Sequence, residues 1–124
     1  KDKLKKNTDV YLVDSYGEAN EFYNLTNVVF VGGSIIKHGG QNPLEPARLG
    51  NYIINGPNID NFKEIYAFLI KNKISSTTSN ISKMRKIILT RCNKKISYQS
   101  RKKIINIGNK ILKKNMLYIN KYIT

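Results

Sequence analysis

Val28–Asn58 reads VVFVGGSIIKHGGQNPLEPARLGNYIINGPN, and its two ends decide the fold. VVFV is an unbroken β-branched and aromatic run, as expected of a strand covered on both faces. YIIN (Tyr52–Asn55) repeats that pattern and is closed by the turn residues Gly56-Pro57-Asn58. Between them a helix is predicted from Asn42 to Leu49. Asn42 is a good N-cap, Pro43 suits the first helical position, Glu45 falls at the third, and Gly50 stops the helix. Strand, helix, strand in sequence implies a crossover between parallel strands.

Working outward, VYLVD (Val10–Asp14) is a short apolar run that reads as another buried strand. The segment after it contains Ser15 and, three residues on, Glu18, which is capping-box spacing for a short helix. Downstream, Phe62, Ile65, Tyr66 and Leu69 recur at helical spacing, and Ile74–Thr77 reads as a weak further strand. Beyond it the character changes. Ile81, Met84, Ile87 and Ile88 form one helical stripe, Ile104, Ile107 and Ile111 a second, and Met116, Ile119 and Ile123 a third, shorter one. Gly108 interrupts the second stripe. No repeat of domain-building length is visible. The expected organisation is an α/β part over residues 1–78 and basic helices over 79–124 that pack on the same domain.

The chain has 124 residues and a net charge of +14, enough length for one core. The charge is uneven. Residues 1–70 hold seven Lys/Arg against eight Asp/Glu, whereas 71–124 hold fifteen Lys/Arg and no acidic residue. Such a block attracts phosphates of nucleic acid or anionic lipid; equally, a Lys-, Ile- and Asn-rich composition alone produces it. No apolar run is long enough to span a bilayer, and no charged-then-apolar leader pattern opens the sequence, which begins with Lys1. Cys92 is the single cysteine, which excludes an internal disulfide and a cysteine-built zinc site. It reads as an incidental thiol. No metal or cofactor is expected.

The candidate site follows from the loop after VVFV. In a parallel sheet, loops at the carboxyl ends of strands face the ligand crevice. Gly32, Gly33 and Ser34 stand there, and Gly39 and Gly40 precede the NPLE helix start. Glycine permits sharp bends and close approach of a ligand to main chain, and a helix start beside such a loop suits phosphate. Glu45 would avoid the phosphate and accept hydrogen bonds from ribose hydroxyls. Alternatively, Asn42-x-x-Glu45 is a capping box that satisfies amide donors without any ligand. From the residues alone both stand. His38 has no Ser or Asp partner that sequence can place beside it and reads as a polar loop residue.

These residues carry a resemblance. DSYGEANEFYNLTNVVFVGGSIIKHGGQNPLEPARLGNYIINGPNIDNFKEI resembles the 3-deoxy-D-manno-octulosonic acid (Kdo) transferases of lipid A assembly, closely over Val10 to Ile70 and more loosely over the tail. The resemblance implies a Rossmann-like parallel sheet with flanking helices, as a partial C-terminal domain of a two-domain GT-B glycosyltransferase. It further implies transfer of Kdo from CMP-Kdo to a phosphorylated lipid A precursor, peripherally, at the cytoplasmic face of the bacterial inner membrane. Carried over by position, the CMP side comprises Tyr16, Gly17, Glu18, Asn42, Pro43, Leu44 and Glu45, with Gly32, Gly33, Ser34, Gly39 and Gly40 as crevice loops. Tyr16 stands where the family commonly has Met, Ala19 where it has Leu, and Asn58 where it has His. The family's catalytic carboxylate lies in its N-terminal half and has no counterpart here. No catalytic residue is therefore assigned, and a separately encoded N-terminal half is an expected partner, as is an anionic membrane surface. A second reading is a non-catalytic remnant, or a basic module for anionic lipid or nucleic acid. Against the last, Tyr98, Tyr118 and Tyr122 are sparse for a base-stacking surface.

Overall fold

The computed structural model describes residues 5–123. Its elements run α1 (Ala19–Leu25), β1 (Val28–Val31), α2 (Leu44–Arg48), β2 (Tyr52–Asn55), a 3-10 turn (Asp60–Phe62), α3 (Lys63–Lys71), β3 (Ser75–Thr77), α4 (Ile81–Arg91) and α5 (Tyr98–Ile123). The three strands form one sheet in the order β1-β2-β3. Both pairings are parallel, with Val28 opposite Tyr52 and Ile53 opposite Ser75. The α/β architecture with helices flanking a parallel sheet is the one expected from the sequence.

β2 is the central strand, and all four of its residues are buried, which is why it reads as a continuous run rather than an alternation. Val31, Ala47, Ile53, Tyr66, Leu69, Ile74 and Ile104 form the core, one contribution or more from every layer. On α3, Tyr66 and Leu69 are the buried pair one turn apart, as the helical spacing predicts. Asn55 is the polar residue in the middle of this sheet. It is tolerated because Ser75 Oγ donates to its Oδ1 at 2.7 Å while its Nδ2 donates to Thr77 Oγ1 at 2.9 Å.

Four sequence expectations are corrected. Val10–Asp14 is not a strand: the segment is exposed, no described strand pairs with it, and Tyr11 stacks on Phe22 of α1 at 5.8 Å. Apolar β-branched composition makes a strand only where a ladder is offered. Ser15 does not cap α1. Its hydroxyl donates to Glu18 Oε2 at 2.6 Å, and the helix begins after Glu18. The helix expected from Asn42 to Leu49 is shorter, Leu44–Arg48, and Pro43 rather than Asn42 stands at its N-cap; Asn42 Oδ1 still accepts from the Leu44 N–H at 3.0 Å, just ahead of the helix. Finally, the second and third tail stripes belong to one 26-residue helix, α5. Gly108 does not break it, because one interior glycine costs only about 1 kcal/mol relative to alanine.

The tail joins the domain through a few specific bonds. Ile104 enters the core. Arg101 Nε donates to the Arg48 carbonyl at 2.7 Å, satisfying the C-terminal end of α2, and Ile96 N–H donates to the Gly50 carbonyl at 2.9 Å. Lys95 Nζ donates to the Tyr23 and Thr26 carbonyls that end α1. Burial there, and the neighbouring Arg101, hold the Lys95 ammonium below its ordinary pKa.

Candidate functional site

The loops leaving β1 and β2 are fastened to each other, and Ser34 is the knot. Its hydroxyl donates to the Val31 carbonyl at 2.7 Å and accepts from the Gly56 N–H at 2.8 Å. Its own carbonyl accepts from the Asn58 N–H at 2.9 Å, and Asn58 Nδ2 donates to the Ile35 carbonyl at 2.8 Å. The loop then turns back: Gly40 N–H donates to the Gly33 carbonyl at 3.0 Å, and Asn61 N–H to the Gly39 carbonyl at 3.1 Å. At Gly39 φ is +87°, and a Cβ would collide with the Asn61 side-chain amide. Left-handed backbone and the close Asn61 amide both favour glycine there for the loop's own sake.

Gly32 is different. Its φ is not in the left-handed region, and a Cβ built on it meets nothing within 4 Å. The fold does not need glycine at that position. Gly32 instead lines an open cleft of about 320 Å³ with Tyr23, Val29, Phe30, Gln41, Asn42 and Glu45. A second cleft of about 400 Å³, lined by Asn20, Arg48, Leu49, Arg101 and Ile105, shares Glu45 as a wall. Glu45 is exposed, and no hydrogen bond from its side chain to Asn42 is formed. The reciprocal half of the capping box is therefore absent, and the carboxylate stands available between two clefts.

Below the cleft, Tyr66 holds the loop from inside. It is fully buried, and its hydroxyl donates to the Gln41 carbonyl at 3.1 Å. Burial pushes its pKa up to about 12, so the phenol is a neutral donor at any physiological pH.

Of the residues expected at the site, the structure brings Gly32, Asn42 and Glu45 together on the cleft wall. Gly33, Ser34, Gly39 and Gly40 build the latched loop behind it. Pro43 is buried and Leu44 packs on the core, so both set the start of α2. Tyr16, Gly17 and Glu18 precede α1 and do not line either cleft; Tyr16 is fully exposed, and Glu18 is engaged by Ser15. Sequence reasoning missed Tyr23, Phe30 and Gln41 on one wall and Arg48 and Arg101 on the other. Gln41 was the one with a signal, since it sits between the second glycine pair and the helix cap.

A parallel sheet whose crevice lies at the carboxyl ends of its strands is the arrangement in which open α/β domains bind ligands. No protein-family model matches the chain. It is 35% identical over 114 residues to the 3-deoxy-D-manno-octulosonic acid transferase of Haemophilus influenzae, covering 89% of this chain and 25% of that protein. Against the enzyme of the same name from Aquifex aeolicus it is 30% identical over 97 residues, 75% of this chain and 28% of that one. Among solved structures, the C-terminal CMP-Kdo binding domain of WaaA from Acinetobacter baumannii superposes with a TM-score of 0.62 at 37% identity, over 67% of this chain and 44% of that domain. The chain thus spans about a quarter of the length of these curated relatives. By sequence and by fold it is a relative of the C-terminal part of the Kdo transferases.

Proposed function

We propose that this chain is the donor-binding portion of a Kdo transferase and that CMP-Kdo sits in the cleft walled by Gly32, Asn42 and Glu45. In this reading residues 1–78 form the nucleotide-sugar-binding part and 79–124 the basic helices of the same domain. The observation that carries it is the unengaged Glu45 carboxylate at the carboxyl end of the sheet. An acceptor-only group so placed suits the two hydroxyls of a ribose. Gly32, free of any packing demand, lets a nucleotide come against main chain. Likeness to a CMP-Kdo-binding domain supports the same ligand.

The reaction would be attack of a lipid A precursor hydroxyl on the anomeric carbon of Kdo, with CMP leaving. This cleft contributes hydrogen bonds to the donor. Glu45 is the one carboxylate on its wall among the described residues, and ribose binding occupies it. The general base then comes from a facing half, and this stretch alone binds donor without turning it over. Tyr16, Gly17 and Glu18 join the CMP side when that half closes over α1. The assembly works peripherally at the cytoplasmic face of the bacterial inner membrane, where its lipid acceptor resides.

Calorimetric titration with CMP tests the reading. Wild-type chain binds saturably, and Glu45→Gln loses about 1–3 kcal/mol of affinity, the range for a hydrogen bond to a charged group. Unchanged affinity in a folded Glu45→Gln variant would refute the contact.

A further inference from the structure

Asn51 follows Gly50, the turn residue after α2, and it is fully buried. Its side-chain amide reaches back to the end of α1: Nδ2 donates to the Tyr23 carbonyl at 2.9 Å and to the Thr26 carbonyl at 2.6 Å. Its Oδ1 is buried without a hydrogen-bond partner among the described residues. An unpaired buried acceptor is destabilising, and an apolar side chain of similar volume would avoid it. What the amide alone supplies is its pair of N–H donors.

Lys95 Nζ donates to the same two carbonyls, at 2.9 Å for that of Tyr23. Its stem crosses Gly50 on the way: a Cβ built on Gly50 would stand 3.3 Å from Lys95 Cδ. The Gly50 carbonyl accepts from the Ile96 N–H at 2.9 Å, so the main chain beside Lys95 is fixed as well. Carbonyls at the C-terminal end of a helix need donors, and a cation suits that end of its dipole. One donor would satisfy the Tyr23 carbonyl; it has two, one of them charged.

Tyr23 itself is half-buried and lines the cleft of Gly32, Asn42 and Glu45, which neither Asn51 nor Lys95 lines. The connection between α4 and α5 braces the β1 wall of that cleft too, since Asn27 Nδ2, one residue before β1, donates to the Cys92 carbonyl at 2.6 Å. We propose that Asn51 and Lys95 are positioning residues for donor binding: together they fix the Tyr23 main chain and so hold its side chain as a wall of the nucleotide cleft. This rests on the reading of the cleft as the donor site. It adds that the basic part of the chain acts on that site through Lys95, without touching the ligand.

Two measurements on the full chain test it. The first needs no ligand. With isotope-labelled tyrosine, Lys95→Met should shift the Tyr23 ring signals, Lys95→Arg should return them, and those of Tyr66 should stay still in both. The second is calorimetric titration with CMP. Lys95→Met should weaken binding about threefold and Lys95→Arg restore it; Asn51→Leu, which keeps the volume and removes the donors, should weaken it at least as much. In a Tyr23→Ala background Lys95→Met should cause no additional loss, because its effect passes through Tyr23. Unshifted Tyr23 signals, unchanged CMP affinity in Lys95→Met, or losses that multiply in the double variant each overturn the proposal. Lys95→Met is the decisive variant, since that side chain is exposed and the test stands even if Asn51→Leu fails to fold. Absence of CMP binding by wild type refutes the donor reading, and with it the ligand half of this proposal; the Tyr23 signals still decide whether the pair holds that residue.

Discussion

In the loop after β1, Gly39 sits at φ +87° with the Asn61 amide filling the space a Cβ would need, whereas Gly32 is crowded by nothing. Alanine at the two positions should therefore have opposite consequences. Gly39→Ala loses about 1–3 kcal/mol of folding stability, from left-handed backbone and the displaced Asn61, read as a lower denaturant midpoint. Gly32→Ala leaves that midpoint unchanged and weakens CMP binding by calorimetry. A stable Gly39→Ala, or an unaltered CMP affinity in Gly32→Ala, contradicts the assignment. Both glycine pairs were legible in the sequence as a loop feature. Which glycine the fold requires was not, because it depends on Asn61, far along the chain. Tyr66 shows the same limit: its spacing marked it as core, but its bond to the Gln41 carbonyl is a tertiary fact. Its folded pKa is raised to about 12 from an ordinary 10.0, so the folded state holds the proton more tightly. Stability from this group is complete below pH 10 and is lost as pH rises toward 12. Alkaline denaturation should show that loss in wild type and a smaller one in Tyr66→Phe; identical profiles would mean the phenol is not held in this way.

At the scale of elements, β1, β2, β3 and α3 were readable because their apolar pattern is satisfied within the chain. Val10–Asp14 was misread because strand composition says nothing about whether a partner is at hand. Its amides should exchange with solvent as in an unstructured peptide, while those of Ile53 and Ile54 in β2 exchange slowest; protection at Val10–Val13 would restore it as a strand. The tail stripes were read correctly as helical and wrongly as separate. Helix continuity across Gly108 rests on propagation being favourable once a helix is nucleated, which local composition at one residue does not reveal. Since Gly108 is exposed, helical and uncrowded, Gly108→Ala should stabilise α5 by about 1 kcal/mol, seen as increased helical ellipticity. A loss of ellipticity would place a real break there.

For the molecule as a whole, neutral and basic halves divide the labour. The neutral part supplies β1, β2 and the cleft walled by Gly32, Asn42 and Glu45, and the basic part adds β3 to the sheet. The basic half contributes Ile104 to the core, closes α1 and α2 through Lys95 and Arg101, and extends a cationic helix beyond them. The charge block, legible from counting alone, pointed to an anionic partner; only the three-dimensional arrangement separates lysines used within the fold from those left facing outward. The cleft, in turn, was visible in the sequence as a motif, and its wall as Gly32, Asn42 and Glu45. The central claim is that this wall binds the nucleotide of the donor, and amide NMR spectra of the chain titrated with CMP test it most directly. Saturable shifts centred on Gly32, Gln41, Asn42 and Glu45, with α4 residues such as Ser82 unmoved, are the expected result. The absence of saturable shifts, or shifts confined to the basic helices while that wall stays still, would contradict it.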